Sequence, residues 1–111
     1  MREMSFRGQS GRAYKFLRVG VDSPWARTAG VALFAARGPF GWRVVKLTNI
    51  RGRAHDTQPI WAFADAERFG ATAVFVLDEY DAATRQSILE DLGQGLSPVC
   101  ETVYEDMPLA A

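Results

Sequence analysis

Basic side chains and a histidine cluster between positions 46 and 55, and their types suit the binding of phosphate groups. Guanidinium and ammonium groups neutralise phosphate oxygens, and an imidazole can donate to them or move a proton. The candidates are Lys46, Arg51, Arg53 and His55. Trp42 and Trp61 flank this cluster in the sequence, and an indole ring is a surface on which a nucleobase stacks. The pattern predicts contacts to nucleic acid, and the alternative interpretation is an ordinary charged surface.

Other site chemistries lack the residues that they need. The chain has one histidine and one cysteine, which excludes paired-histidine metal sites and Cys/His zinc clusters. Cys100 has no partner for an internal disulfide, and we interpret it as a small buried hydrophobic residue. The surroundings of His55 contain no nucleophile motif, so a catalytic role for it is only formally possible.

Length and composition describe one folded domain covering residues 1–111. Hydrophobic residues make up 48% of the chain, which supports a single packed core rather than a disordered chain. Basic and acidic residues number 13 each, but they are segregated along the sequence. Residues 1–58 contain 11 basic and 3 acidic side chains, whereas residues 59–111 contain 2 and 10. The neutral total therefore hides a basic first half and an acidic second half.

The basic half must supply the strands that position the cluster. Residues 13–20 read as a strand, and residues 30–37 and 42–50 are β-rich runs separated by Gly-Pro-Phe-Gly, which predicts a hairpin. Regular alternation predicts that Arg43 faces away from Lys46. Trp25 follows a proline in a predicted loop, and we expect it to be the most exposed tryptophan. The folded core is expected to span about residues 13–100, with 1–12 and 101–111 flexible outside it.

The acidic half predicts a helix, a central strand and a second helix. Pro59 opens the first helix, which runs to Phe69 before Gly70. Its shared face is predicted to contain Ile60, Phe63, Ala64 and Glu67. Residues 71–77 are too short and too β-branched for a helix and predict a central strand. Asp81 caps the second helix, which is predicted to extend to about Leu92.

The end of that second helix is predicted at Gly93 and Gly95, because glycine commonly follows the last helical turn. Its apolar stripe contains Ile88, Leu89 and Leu92. The complete order is β-ββ-α-β-α. This order predicts an α+β fold, in which helices pack on a small, mostly antiparallel sheet.

This order and several short patterns resemble the GIY-YIG nuclease family. Residues 30–32, Gly-Val-Ala, stand where that family has Gly-Ile-Tyr, and residues 46–48, Lys-Leu-Thr, stand where it has Tyr-Ile-Gly. The segment RQSILEDLGQGLSPVCE is similar to the family's closing segment, with Glu90 in the glutamate position and Glu101 where asparagine would stand. The resemblance covers residues 30–101 and implies a GIY-YIG-like fold.

The departures from that family predict a domain without its activity. In the family the tyrosines position and activate water, an arginine stabilises the phosphate, and the glutamate holds a divalent metal. Here Ala32 and Lys46 replace the tyrosines, and no arginine falls in the expected part of the first helix. Glu90 keeps the position of a residual metal ligand. On a helical wheel it points away from the apolar stripe, which favours a solvated side chain.

The sequence thus predicts a non-catalytic GIY-YIG-like binding or interaction module with weak nucleic-acid binding through its basic hairpin half. One alternative is a structural or protein-interaction protein whose oppositely charged halves associate, within the chain or between copies. Another is a divergent metal-dependent nuclease, which would require Mg²⁺; no other cofactor is expected. We expect a cytoplasmic protein, because the sequence has neither a signal-peptide pattern nor an apolar run of about 18 residues.

Overall fold

The chain folds around a five-stranded sheet in a computed structural model that describes residues 2–53 and 55–104. The strands are β1 (Glu3–Arg7), β2 (Ala13–Val19), β3 (Gly30–Gly38), β4 (Gly41–Ile50) and β5 (Ala73–Asp78). The helices are α1 (Gln58–Glu67) and α2 (Ala82–Leu96). The spatial order is β1-β2-β5-β3-β4, with all neighbours antiparallel. The predicted α+β class and antiparallel sheet are confirmed.

The two helices cover opposite faces of the sheet. Strand alternation sends Val74 of β5 to one face and Phe75 to the other, and both are buried. The α2 face contains Leu33, Leu47, Phe75, Leu89 and Leu92. The α1 face contains Phe34, Val45, Ala62, Ala66 and Val74. Because β5 is the central strand and its first residues are buried on both sides, residues 73–77 are apolar, as predicted, and the strand ends at the exposed Asp78.

Helix α1 forms where it was predicted but presents a different face to the sheet. Its buried residues are Pro59, Ala62 and Ala66. The predicted shared face is wrong for Ile60, which is 51% exposed, and for the exposed Glu67, whereas Phe63 packs against Trp25 and Phe34. The two alanines let the helix backbone approach the sheet closely, and small side chains leave room for larger ones beside them. Gly70 follows the helix with φ +97°, as expected for a glycine stop.

Trp25 is buried, contrary to the sequence prediction. It lies in a short 3₁₀ turn, Trp25–Arg27, and only 6% of its surface is exposed. Its ring contacts Phe34 edge-on at 5.5 Å and Phe63 at 6.2 Å between centroids. The loop between β2 and β3 therefore folds back over the α1 face, because a large indole buries more apolar area there than in solvent.

Helix α2 begins as predicted and ends later. The Asp81 carboxylate accepts a hydrogen bond from the Thr84 backbone N–H at 2.9 Å, which confirms the cap. The predicted apolar stripe is buried, but the helix continues through both glycines to Leu96. It ends at Ser97, which adopts φ 48°. Gly95 is required for packing rather than for termination, since a Cβ there would lie 2.5 Å from the Gln9 backbone nitrogen.

The two segments that were expected to be flexible, 1–12 and 101–111, both contain residues that form backbone hydrogen bonds with the sheet. Strand β1 pairs with β2, and its Phe6 is buried against Phe16 and Phe75. Near the other end of the chain, residues 100–103 run along the free edge of β4. The Cys100 N–H donates to the Val45 carbonyl at 2.8 Å, and the Val103 N–H donates to the Leu47 carbonyl at 3.1 Å. The remaining tail, 105–111, lies outside the described residues.

Candidate functional site

An open cleft lies where β4 leads into α1. Its volume is about 640 Å³, a size suited to a small ligand or to part of a polymer. The lining residues are Arg51, Arg53, His55, Asp56, Thr57, Gln58 and Trp61. We call it the loop–helix cleft. It brings together three of the four basic cluster residues and one of the two flanking tryptophans.

The loop that forms this cleft is shaped by a glycine and by a carboxylate. Gly52 adopts φ +76°, and a Cβ there would lie 2.7 Å from the Ala29 backbone nitrogen, so the chain can pass closely only with glycine. The Asp56 carboxylate accepts from the Gln58 N–H at 3.1 Å immediately before α1. Its other oxygen, Oδ2, is buried with no hydrogen-bond partner among the described residues. An unpaired buried oxygen is costly, and a donor that enters the cleft would relieve that cost.

The hydrogen-bond donors available to a ligand in this cleft are side-chain groups rather than the backbone N–H groups at the start of α1. In the first turn of α1, the Gln58 N–H is taken by Asp56, and Pro59 has no N–H. The N–H groups of Ile60 and Trp61 both donate to the Thr57 carbonyl. Helix N-termini often bind anions, but these backbone N–H groups already have acceptors and are not available to an incoming anion. Positive charge in the cleft comes from the half-buried Arg51 and the exposed Arg53.

Trp61 is the aromatic surface of the cleft. It is 72% exposed, whereas Trp25 is buried and Trp42 is half-buried. Its exposure follows from the rotation of α1, because the helix turns its alanines to the sheet and leaves this indole on the outer side. Exposed indole beside arginine presents a stacking face next to positive charge.

Lys46 does not line this cleft. It is 8% exposed on the α1 face, and its Nζ lies 2.8 Å from Oδ2 of Asp65. This hydrogen bond and charge from Lys46 lower the pKa of the Asp65 carboxyl below its usual value. A phosphate would have to compete with Asp65 for the ammonium group. Lys46 therefore links β4 to α1 through its ion pair with Asp65.

A β-bulge changes which residues share a face with Lys46. The pairing of β3 with β4 shifts between Phe34 and Ala35, so strict alternation is interrupted. Arg43 donates to the Phe69 carbonyl just after α1 at 3.4 Å, on the same face as Lys46. The prediction that these two cations face opposite ways is wrong, because it assumed a regular strand.

The structure does not bring Glu90 together with Lys46. Glu90 is exposed on α2, where its carboxylate accepts from the Gln86 side chain at 3.0 Å. Lys46 and the buried Ala32 belong to the α1 face, so the sheet lies between them and the helix that carries Glu90. In the described part of the chain, no group of three or more His, Cys, Asp or Glu side chains is arranged to hold a metal ion.

Arg85 is an internal polar residue, whereas its position four residues after Asp81 favours a pair with that carboxylate on the helix surface. It is 4% exposed, and its Nε donates to Oδ1 of Asn49 at 2.7 Å. Its Nη1 donates to the backbone carbonyls of Glu79 at 3.1 Å and Tyr80 at 2.7 Å. These bonds fasten the start of α2 to β4 and to the preceding loop. The position of an arginine one turn after a cap carries no signal that distinguishes this inward role from a surface ion pair.

Comparison with known proteins identifies no relative whose site could be compared with this cleft. No protein-family model, curated protein or solved structure matches this chain. Over the residues that the structure describes, no helix is long and apolar enough to cross a membrane. The class that the fold defines is a small α+β domain with an antiparallel sheet between two helices.

Proposed function

We propose that this chain is a non-catalytic GIY-YIG-like domain that binds single-stranded nucleic acid in the loop–helix cleft. The observation that carries the proposal is the 72% exposure of Trp61 in a cleft that Arg51 and Arg53 also line. In this mode an unpaired base stacks on the indole, and the arginines contact the flanking phosphates. Two arginines and one Asp56 carboxylate give a modest positive charge, so the binding is weak and depends on salt.

A single strand fits the chemistry of this cleft better than a duplex. Bases in a duplex are stacked on one another, whereas an unpaired base can leave the strand and lie on an aromatic side chain. The cleft is open, and its aromatic surface is one indole rather than an element that would enter a groove. The phosphate contacts come from guanidinium groups, and the phosphates are the same in every nucleic-acid sequence. We therefore expect little sequence preference.

The locations of Ala32, Lys46 and Glu90 support a domain without nuclease activity. Ala32 has no group that moves a proton, and the Lys46 ammonium is paired with Asp65. Glu90 lies on the helix that packs on the other face of the sheet. A nuclease needs its water activator, metal and charge clamp around one phosphate, because these groups act as a unit.

The test is a titration of the full chain with a short single-stranded oligonucleotide, followed by fluorescence anisotropy of a label on the DNA. We expect Trp61→Ala to weaken binding by about 1–3 kcal/mol, which is roughly five- to 150-fold in Kd. The matched control is Phe40→Ala, because Phe40 is a fully exposed aromatic residue at the β3–β4 turn, outside the cleft. Equal losses in both variants would contradict the proposal.

The salt dependence of the same titration measures the phosphate contacts. For a single strand, the slope of log affinity against log salt changes by about 0.7 for each phosphate neutralised. Arg53→Gln should reduce the slope by about that amount, while the exposed Lys15→Gln in β2 should leave it unchanged. DNA cleavage with Mg²⁺ that Glu90→Ala abolishes would overturn the non-catalytic proposal in favour of the nuclease.

A further inference from the structure

A second basic surface lies at the opposite end of the sheet, on the α2 face. Its cavity has a volume of about 280 Å³. The lining residues are Arg2, Glu3, Met4, Arg18, Arg37, Trp42 and Phe75. We call it the arginine–tryptophan pocket. It shares no residue with the loop–helix cleft, and the sequence analysis did not predict it.

Strand alternation and the path of α2 together create this pocket. Arg18 follows Tyr14 and Phe16 at two-residue spacing in β2, and Arg37 follows Leu33 and Ala35 in β3, so both point to the α2 face. Helix α2 crosses the other end of that face. It contacts the β1–β2 turn through Asp91 and the end of β4 through Arg85. The end where β1 begins and β2 finishes is left uncovered.

The two strand arginines are held against an aromatic ring. The Cζ atom of Arg37 lies 4.2 Å from the centroid of the Trp42 ring, and that of Arg18 lies 4.9 Å from it. Trp42 in turn packs edge-on against the buried Phe75, with 5.4 Å between ring centroids. A guanidinium over an aromatic ring is attracted by the ring electrons, and this contact uses none of its N–H donors as hydrogen bonds to another group.

These guanidinium groups lack a carboxylate partner in the described part of the chain. Among residues 2–53 and 55–104, no carboxylate lies within ion-pair distance of Arg2, Arg18 or Arg37, in contrast to the pairing of Lys46 with Asp65. Glu3 lines the pocket, so its lining carries three positive charges and one negative. Stacking reduces the side-chain entropy that an anion would otherwise have to remove on binding.

We propose that the arginine–tryptophan pocket binds a phosphomonoester dianion. A net charge of two positive units matches that dianion, and planar guanidinium donors match its oxygens in pairs. The pocket has room for a phosphoryl group, and the arginines already occupy positions over the Trp42 ring, where a base would otherwise stack. The ligand is a free phosphate or the terminal phosphate of a nucleotide chain, because both present the same chemistry.

The three tryptophans allow a direct test by NMR of their indole N–H signals in the full chain. Trp42 reports on this pocket, Trp61 on the loop–helix cleft, and buried Trp25 on the integrity of the fold. Titration with inorganic phosphate at constant ionic strength should move the Trp42 signal to saturation at a lower phosphate concentration than any change in the Trp61 signal. A 5′-phosphorylated oligonucleotide that moves Trp42 further than its 5′-hydroxyl counterpart would identify a chain terminus as the source.

Variants assign the effect to the stacked guanidinium groups. Arg37→Gln should weaken phosphate binding by about tenfold, the loss expected for one charged hydrogen-bonded contact. Arg7→Gln is the matched control, because Arg7 is exposed on β1 and does not line the pocket. A Trp42 shift that chloride produces equally, or an unchanged affinity in Arg37→Gln with the Trp25 signal intact, would overturn this proposal. A Trp61 signal that does not respond to single-stranded DNA would instead overturn the loop–helix cleft proposal alone.

Discussion

Asp91 shows how one side chain can connect distant parts of this chain. Its carboxylate accepts from the Ser10 N–H at 2.8 Å, the Ser10 hydroxyl at 2.6 Å and the Tyr14 hydroxyl at 2.7 Å. The hydrogen bonds from Ser10, followed by that from Tyr14, lower the pKa of the Asp91 carboxyl. Burial, the hydrogen bond to Asp91 and its charge raise the pKa of the Tyr14 phenol. The turn between β1 and β2 is thus attached to α2 through an ionised group.

This arrangement predicts an acid-sensitive contribution to stability. Because the pKa of Asp91 is lower in the folded chain, its contribution is present above the pKa of the unfolded carboxyl and is lost as pH falls through the folded value. We expect Asp91→Asn to lower the urea midpoint at neutral pH and the gap from the original chain to close in acid. Glu90→Gln, on the adjacent exposed position, is the control and should show no such convergence. A gap that is independent of pH would contradict this assignment.

At the scale of elements, glycines two positions apart in α2 have different roles. A Cβ at Gly95 would meet the Gly8 carbonyl carbon at 2.6 Å and the Gln9 nitrogen at 2.5 Å, which are backbone atoms that cannot move aside. A Cβ at Gly93 would lie 3.5 Å from the side-chain oxygens of Thr102 and Tyr104, an ordinary contact distance. The close approach at Gly95 places the end of α2 directly on the β1–β2 turn.

This contrast predicts opposite effects of the same substitution. Alanine is a better helix former than glycine by about 0.8–1 kcal/mol, so Gly93→Ala should raise the free energy of unfolding by up to about that amount. Gly95→Ala should lower it despite the same gain in helix propensity, because the helix must move away from β1. Urea denaturation followed by circular dichroism measures both changes. A stabilised Gly95→Ala variant would show that this contact is looser than the structure indicates.

The elements that could be predicted from sequence are those whose residues alternate or repeat clearly. The hairpin, the central β5, Pro59 at the start of α1 and the Asp81 cap all carry local signals. Strand β1 does not, since its five residues bury only Phe6. The face of α1 could not be predicted either. The apolar Ile60 suggested burial, whereas the fit of Ala62 and Ala66 against the sheet decided the rotation.

The candidate site was partly predictable for the same reason. Arg51, Arg53 and His55 are neighbours in sequence, and a short loop keeps them together in space. Lys46 does not join them, because a β-bulge changes the direction of its side chain and Asp65 binds its ammonium group. Asp65 is 19 positions away in the sequence, so no local pattern identifies it as the partner. The lining of the arginine–tryptophan pocket comes from all five strands, so its residues become neighbours only after the sheet has formed.

At the scale of the whole molecule, the two oppositely charged halves of the sequence are interleaved. Strand β5 belongs to the acidic half, yet it lies between β2 and β3 of the basic half. Helices α1 and α2, also from the acidic half, cover opposite faces. The segregation in sequence therefore does not place the basic and acidic halves at opposite ends of the sheet, and we expect only weak head-to-tail attraction between copies.

We expect the chain to sediment as a monomer over a wide range of salt concentration. Charges that are distributed around one sheet give weak, strongly screened attraction between copies. Sedimentation velocity at low and at high salt measures the oligomeric state directly. An oligomer that dissociates as salt is added would favour the alternative of a protein that associates through its charged halves.

The segment beside β4 has a consequence for how the chain must be made in the cell. Residues 100–103 occupy the hydrogen-bonding groups along the outer side of β4 through Val45 and Leu47. During translation β4 emerges long before this segment, so its edge stays open while α1, β5 and α2 are being synthesised. An open, apolar strand edge is a template for pairing with other chains. A chain that ends after α2 would therefore keep both helices and all five strands but leave the Val45 and Leu47 carbonyls of β4 open to a strand from another molecule.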